Sequence, residues 1–199
     1  MQRIGLTGGI GSGKSTVLAM LARHGAATVD ADALSRAVTA PGGAALPAIA
    51  RTFGQDFIAA DGSLDRARMR SHVYANEPAR RQLEAIIHPL VQDSIRQADA
   101  RALAEGARCM VYDVPLLVES GRWRPELDRV VVVDCEPATQ IQRVMARSQL
   151  EAAQVEAIIA AQAPRAARLA AADIVIFNQG LSLGQLQAQV DELARAFGL

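Results

Sequence analysis

Lysine is all but missing from this 199-residue chain: Lys14 is the only one, and every other basic side chain apart from three histidines is arginine. Neither sign of charge is in excess, with 21 basic and 21 acidic residues, which argues against a general nucleic-acid binder. An anionic small molecule remains open, because a few arginines can focus their field on one cleft. Aromatic residues make up only 4% while half of the chain is hydrophobic, so its core has to be built from Ala, Leu, Ile and Val. The two cysteines, Cys109 and Cys135, lie in or beside apolar runs and resemble neither a zinc site nor a disulfide framework. The uncharged run Ala37 to Ala50 is too short for a bilayer and is broken by Pro41, Gly42, Gly43 and Pro47. A strand begins almost at the N-terminus, with no visible signal peptide before it. A cytoplasmic protein without membrane or nucleic-acid partners is expected, its oligomeric state open.

What is present starts at Gly8. Gly8-Gly9-Ile10-Gly11-Ser12-Gly13-Lys14-Ser15 fits the phosphate-binding pattern G-x-x-x-x-G-K-[ST], and Thr16 follows. Arg3 to Thr7 reads as a short buried strand, and Val17, Leu18 and Leu21 follow at helical spacing. Strand, glycine loop and helix are the context the motif needs. Loop N–H groups and the positive helix end then converge on phosphate. The loop amides would cradle the phosphates, with Gly9, Gly11, Ser12, Gly13, Lys14, Ser15 and Thr16 as the nucleotide-binding residues. Lys14 would reach the terminal phosphates, Ser15 would hold a magnesium ion, and Thr16 would lie in the first helical turn.

Further strands are predicted at Ala26–Val29, Cys109–Tyr112, Arg129–Asp134 and Asp173–Phe177. With the first they make a five-stranded parallel sheet with helices on both faces. Residues 1–40 and 108–199 would form this α/β nucleotide-binding core, with a short helical lid over about 143–165. Residues 41–107 read as a helical insertion, with a turn at Asp61-Gly62 and a helix kinked or split at His88-Pro89. Asp30 and Asp32 end the second strand, where open parallel sheets place their ligands. Capping of the next helix explains one of the two carboxylates, not both. Asp113 ends the third strand and serves equally well as a turn residue or a magnesium partner. Arg143 and Arg147 lie one turn apart on a helix opened by Pro137. Capping boxes are expected at Ser148–Glu151 and Ser182–Gln185.

With a single lysine already in the loop, the guanine-reading N-K-x-D motif cannot occur, which argues against a switch GTPase. A phosphotransferase needs a base at the acceptor hydroxyl and cations over the transferred group. Asp32, with Arg143 and Arg147, supplies those roles. These residues leave open which small molecule is the acceptor, and whether the chain is instead a nucleotide-gated binding protein.

Leu6 to Thr16, Asp30-Ala31-Asp32, His88-Pro89-Leu90, Val114 to Glu119, Gln140 with Arg143 and Arg147, Ala161-Gln162, Ala172-Asp173, and Asn178 with Gly180 together resemble the dephospho-coenzyme A kinase family over nearly the whole chain. The resemblance implies a P-loop kinase fold with a coenzyme A-binding insertion and a lid. It further implies transfer of the γ-phosphate of ATP, with Mg2+, to the ribose 3′-hydroxyl of dephospho-coenzyme A, in the last step of coenzyme A biosynthesis. By that resemblance Asp32 is the general base, Arg143 and Arg147 lie over the phosphates, and Asn178 lies near the adenine. His88 matches a family position without an assigned role. Ser148 and Phe177 depart from the family pattern, which has an aspartate and a polar residue there.

Overall fold

The structure, a computed structural model, describes all 199 residues. Strand β1 (Gln2–Gly8), helix α1 (Lys14–Arg23) and strand β2 (Ala27–Asp30) open the chain. Four helices follow: α2 (Ala31–Ala37), α3 (Leu46–Phe53), α4 (Arg66–Tyr74) and α5 (Glu77–Ala104). The remainder runs β3 (Cys109–Asp113), α6 (Leu117–Ser120), β4 (Arg129–Asp134), α7 (Pro137–Ser148), α8 (Ala152–Ala161), α9 (Arg165–Ala170), β5 (Ile174–Phe177) and α10 (Leu183–Ala196). Two compact units result, one of Met1–Val29 with Ala102–Leu199 and one of Asp30–Arg101.

The expected five-stranded parallel sheet is present, in the order β2-β3-β1-β4-β5. β1 pairs parallel with β3 (Ile4 beside Val111) and with β4 (Leu6 beside Val131). The apolar runs follow from this position. β3 is buried along its length and β4 from Val130 onward, whereas β2 and β5 at the edges are only partly buried. On one face Ile4, Leu6, Val131 and Val133 pack with Val17 and Leu21 of α1 and Val190 and Leu193 of α10. On the other face Gly5 makes room for Leu127 and Leu117, whose Cδ1 atoms would lie 2.5 and 2.7 Å from a Cβ at that position. The order of crossovers reverses at β1, so the crevice beyond its carboxyl end is where such a sheet binds its ligand.

The second unit has its own core of Val38, Ala45, Leu46, Ile49, Leu64 and Met69, with Leu83, Ile86, Ile87, Leu90 and Val91 packed on it. A single antiparallel bridge, Ile58 to Leu64, closes the turn at Asp61-Gly62. One sequence expectation is narrowed and another needs correction. Helix α5 is not split at His88-Pro89 but runs through Pro89 for 28 residues. Proline removes one donor and crowds one carbonyl. Apolar residues on both sides of it dock on the same core, which holds the two halves in one helix. The first capping box is not at Ser148–Glu151. Gln149 takes a left-handed conformation (φ 55°) that ends α7, and Glu151 then caps α8 with Gln154 as its reciprocal partner. The box at Ser182–Gln185 is formed as expected.

Candidate active site

The segment between β1 and α1 folds so that its carbonyl groups are engaged by the protein. Ser12 N–H donates to the Gly9 carbonyl (3.1 Å), and the Thr16 and Val17 N–H groups donate to Gly13 (3.0 and 3.2 Å). Gln140 Nε2 donates to the Ile10 carbonyl (2.8 Å), and Asn178 Nδ2 donates to that of Ser12 (2.8 Å). The guanidinium of Arg143 reaches the carbonyls of Gly11 (3.5 Å), Ser12 (3.4 Å) and Asn178 (3.0 Å). By contrast, the N–H groups of Gly11, Gly13, Lys14 and Ser15 have no partner within the protein. A concave run of free N–H donors at a helix N-terminus is an anion cradle.

Two glycines make this shape possible. Gly13 precedes α1 with φ 98°, and a Cβ there would run into the Asn178 amide. A Cβ at Gly9 would collide with Gln140 Nε2, so no side chain fits beneath the clamp on Ile10. The Ile10 N–H donates to Gln162 Oε1 (3.0 Å), at the C-terminal end of α8, so that peptide is held on both edges.

Lys14 lies in the first turn of α1, and its ammonium forms an ion pair with the carboxylate of Asp113, at the end of β3. Asp113, the last residue of β3, is thus the partner of the loop lysine. Ser15 is exposed in the same turn, Thr16 is half-buried, and the Ser12 hydroxyl is buried without a hydrogen-bond partner. Of the two arginines on α7, Arg143 rests on the loop. Arg147 is exposed and touches only the Ser148 hydroxyl, at 3.4 Å. Asn178 is buried, and its side chain serves the loop backbone.

Asp30 and Asp32 divide as the capping argument requires. Asp30 accepts from the Ala33 N–H (2.8 Å) as the N-cap of α2, and Asp32 stands exposed in the first turn. Asp32 belongs to the second unit and the loop to the first. Both cysteines are buried, and burial pushes the Cys109 thiol up to about 11 and raises that of Cys135, so neither is a nucleophile at neutral pH.

Several residues around the loop were invisible to pattern reading. Gln140 and Gln162 occur among the motif residues, but nothing in their spacing reveals that they grip one peptide from two sides. Arg165 binds the buried carboxylate of Asp134 through Nε and Nη2 (2.9 and 2.7 Å) and Glu136 through Nη1 (3.0 Å), fixing the start of α9. Hydrogen bonds to Asp134 and then Glu136 raise the Arg165 pKa. Ala163 N–H donates to Glu119 (2.7 Å), tying down the same joint. No local sequence signal marks these long-range partners.

The fold and loop have known counterparts. A sequence profile of the family described as dephospho-CoA kinase matches residues 2–183. A protein named dephospho-CoA kinase from Albidiferax ferrireducens is 60% identical over 197 residues, 99% of this chain and 93% of that one. A crystal structure of a Thermus thermophilus protein superposes with a TM-score of 0.82 at 34% identity, covering 98% of this chain and 97% of the other. Dephospho-CoA kinase from Campylobacter jejuni, at 19% identity and a TM-score of 0.65 over 98% of this chain and 97% of its own, has the same fold. Matched along almost its whole length, and with the phosphate loop intact, the chain belongs to the dephospho-CoA kinase family.

Proposed function

We propose that this protein transfers the γ-phosphate of ATP in line to the ribose 3′-hydroxyl of dephospho-coenzyme A, releasing ADP and coenzyme A. The observation that carries the reading is the cradle of free N–H groups at Gly11, Gly13, Lys14 and Ser15, with the lysine ammonium beside it. In this reading the loop N–H groups bind the phosphates and Lys14 follows the charge that moves with the transferred group. Arg143 holds the loop in shape from its carbonyl side, and Arg147 covers the phosphates. The adenine lies against the turn at Asn178.

Asp32 receives the proton of the acceptor hydroxyl. A loose phosphoryl-transfer transition state builds little charge on the attacking oxygen, so placement of Asp32 counts for more than basicity. The helical unit Asp30–Arg101 binds the acceptor. Ser15 and Asp113 offer the hard oxygen donors that suit magnesium, a hydroxyl in the first turn and a carboxylate at the strand end. When bound, the ion would draw off negative charge from the phosphates. No helix is long and apolar enough to cross a membrane, which suits a cytoplasmic enzyme acting on dissolved substrates.

The test is ADP formation from magnesium-ATP with and without dephospho-coenzyme A, followed by location of the new phosphate on the product. Acceptor-dependent ADP release and a 3′-phosphorylated product are expected. Equal ADP release without acceptor, or faster transfer to a nucleoside or nucleotide, would overturn the reading.

A further inference from the structure

The joint between α8 and α9 carries a charge that the contacts around it leave unbalanced. Arg168 is 3% exposed. Its Nη1 donates to the Ala163 carbonyl, and its Nε is buried with no hydrogen-bond partner. The nearby carboxylates Asp134 and Glu136 are both bound to Arg165, and Arg168 has none of its own. A buried guanidinium without a counter-charge is costly, and such groups persist where something offsets them.

Its position indicates what does. Arg168 Nη2 lies 3.0 Å from where a Cβ on Gly9 would stand, so the guanidinium is laid against the phosphate loop itself. That part of the loop is fixed, because Gln140 holds the Ile10 carbonyl and Gln162 holds the Ile10 N–H. The helix that carries Arg168 is also fixed, through Arg165 on Asp134. Neither glutamine supplies charge, and the guanidinium of Arg143 is turned to three carbonyls.

We propose that Arg168 is a phosphate-binding residue, and that the terminal phosphates of the nucleotide are its counter-charge. The inference rests on the reading of the loop as an ATP site. A cation already in place beside the loop needs no rearrangement when the phosphates arrive, which is the condition under which such charges act most strongly. Glycine at position 9 then has a second purpose: it lets the guanidinium approach the loop.

The test compares the full-length wild-type chain with Arg168→Met and Arg168→Lys by equilibrium binding of ATP, ADP and AMP in the presence of Mg2+. Arg168→Met is expected to weaken ATP and ADP binding by about 10- to 100-fold and AMP binding by less than about twofold, with partial rescue in Arg168→Lys. A folded Arg168→Met that binds ATP as tightly as wild type, or that loses all three nucleotides equally, overturns the proposal and leaves Arg168 a packing residue. If Arg168→Met does not fold, the wild-type Nε–H resonance of Arg168, assigned through the backbone, gives the answer. It should shift on saturation with ATP and not with AMP, and an unmoved resonance overturns the proposal. A wild-type chain that binds no ATP at all would remove the ATP reading and this inference together, an outcome distinct from a variant that binds as wild type does.

Discussion

The phosphate loop and the helix pair α7–α8 are neighbours in sequence logic and opposites in construction. In the loop, the carbonyls of Gly9, Ile10, Gly11, Ser12 and Gly13 each accept from a protein donor, whereas four N–H groups are left free. Acceptors are tied inward, so the dipoles that remain available are all donors. The helix pair is organised only on its inner face, where Gln140 and Arg143 of α7 hold the loop, and its outer face shows no such economy. Arg147 is exposed, Met145 and Ile158 are 41% and 37% exposed, and Val155 is the only buried residue of α8. A preorganised anion site needs fixed dipoles, and a covering element needs only to reach the site. On the proposed reading, in which these helices cover the nucleotide, the difference in packing follows a difference in task.

Substitutions that attack each region separately test that division, and the largest effect is expected at the loop. Lys14→Ala removes the only lysine and leaves Asp113 without its partner. Both ATP binding and turnover should fall, with kcat/KM down by about a thousandfold, as when one preorganised charge is lost from an active site. Steady-state kinetics with varied ATP checks this, and a loss in KM alone would mean that Lys14 only anchors. Asp32→Asn asks whether the loop works independently of the second unit. It should lower kcat by about a hundredfold with ATP binding nearly intact, in line with general-base contributions. Equal turnover in variant and wild type would remove Asp32 from the mechanism.

The two arginines of α7 sharpen the contrast within one helix. Arg143→Gln leaves the carbonyls of Gly11, Ser12 and Asn178 without a cationic donor, so the loop loosens and KM for ATP rises, by about 10-fold or more. Arg147→Gln removes only the 3.4 Å contact to the Ser148 hydroxyl in the free protein, so its effect should fall on kcat, with KM for ATP nearly unchanged. If Arg147→Gln raises KM as much as Arg143→Gln does, the distinction between braced loop and free cover fails.

The sequence carried the loop well because its chemistry is local. Glycines, a lysine and a hydroxyl at fixed spacing produce their geometry wherever strand and helix flank them. The five strands were legible for a similar reason, since Val130 to Val133 and Cys109 to Tyr112 are continuous apolar runs between turn signals. What remained hidden is non-local. Gln140, Gln162 and Arg168 lie more than a hundred residues from the loop they surround, and no periodicity foretells that contact. Pro89 does not split its helix for the converse reason: a strong local breaker is overridden by packing on both sides of it. Spacing also could not separate Arg143 from Arg147, which differ in what they touch and not in pattern.

A pair of opposite glycine substitutions gives the finest test of the comparison. Gly9→Ala places a methyl against Gln140 Nε2 and near Arg168, and overpacking of this kind costs about 1–3 kcal/mol. Thermal unfolding should fall by several degrees, at about 2–4 °C per kcal/mol for a chain of this size. Gln149→Gly does the reverse at the α7–α8 junction. Gln149 is the only non-glycine residue with positive φ, a conformation that costs an L side chain roughly 1–2 kcal/mol. Glycine removes that cost, while its greater freedom in the unfolded chain offsets about 0.4–1 kcal/mol of the gain. The net expectation is a stabilisation of about 0.5 kcal/mol, read as a small rise in the urea midpoint at constant m-value. A stabilised junction with unchanged KM for ATP would support a cover that tolerates adjustment. A destabilised one would mean that the left-handed turn at Gln149 is held by its side chain, and that the junction is as tightly specified as the loop.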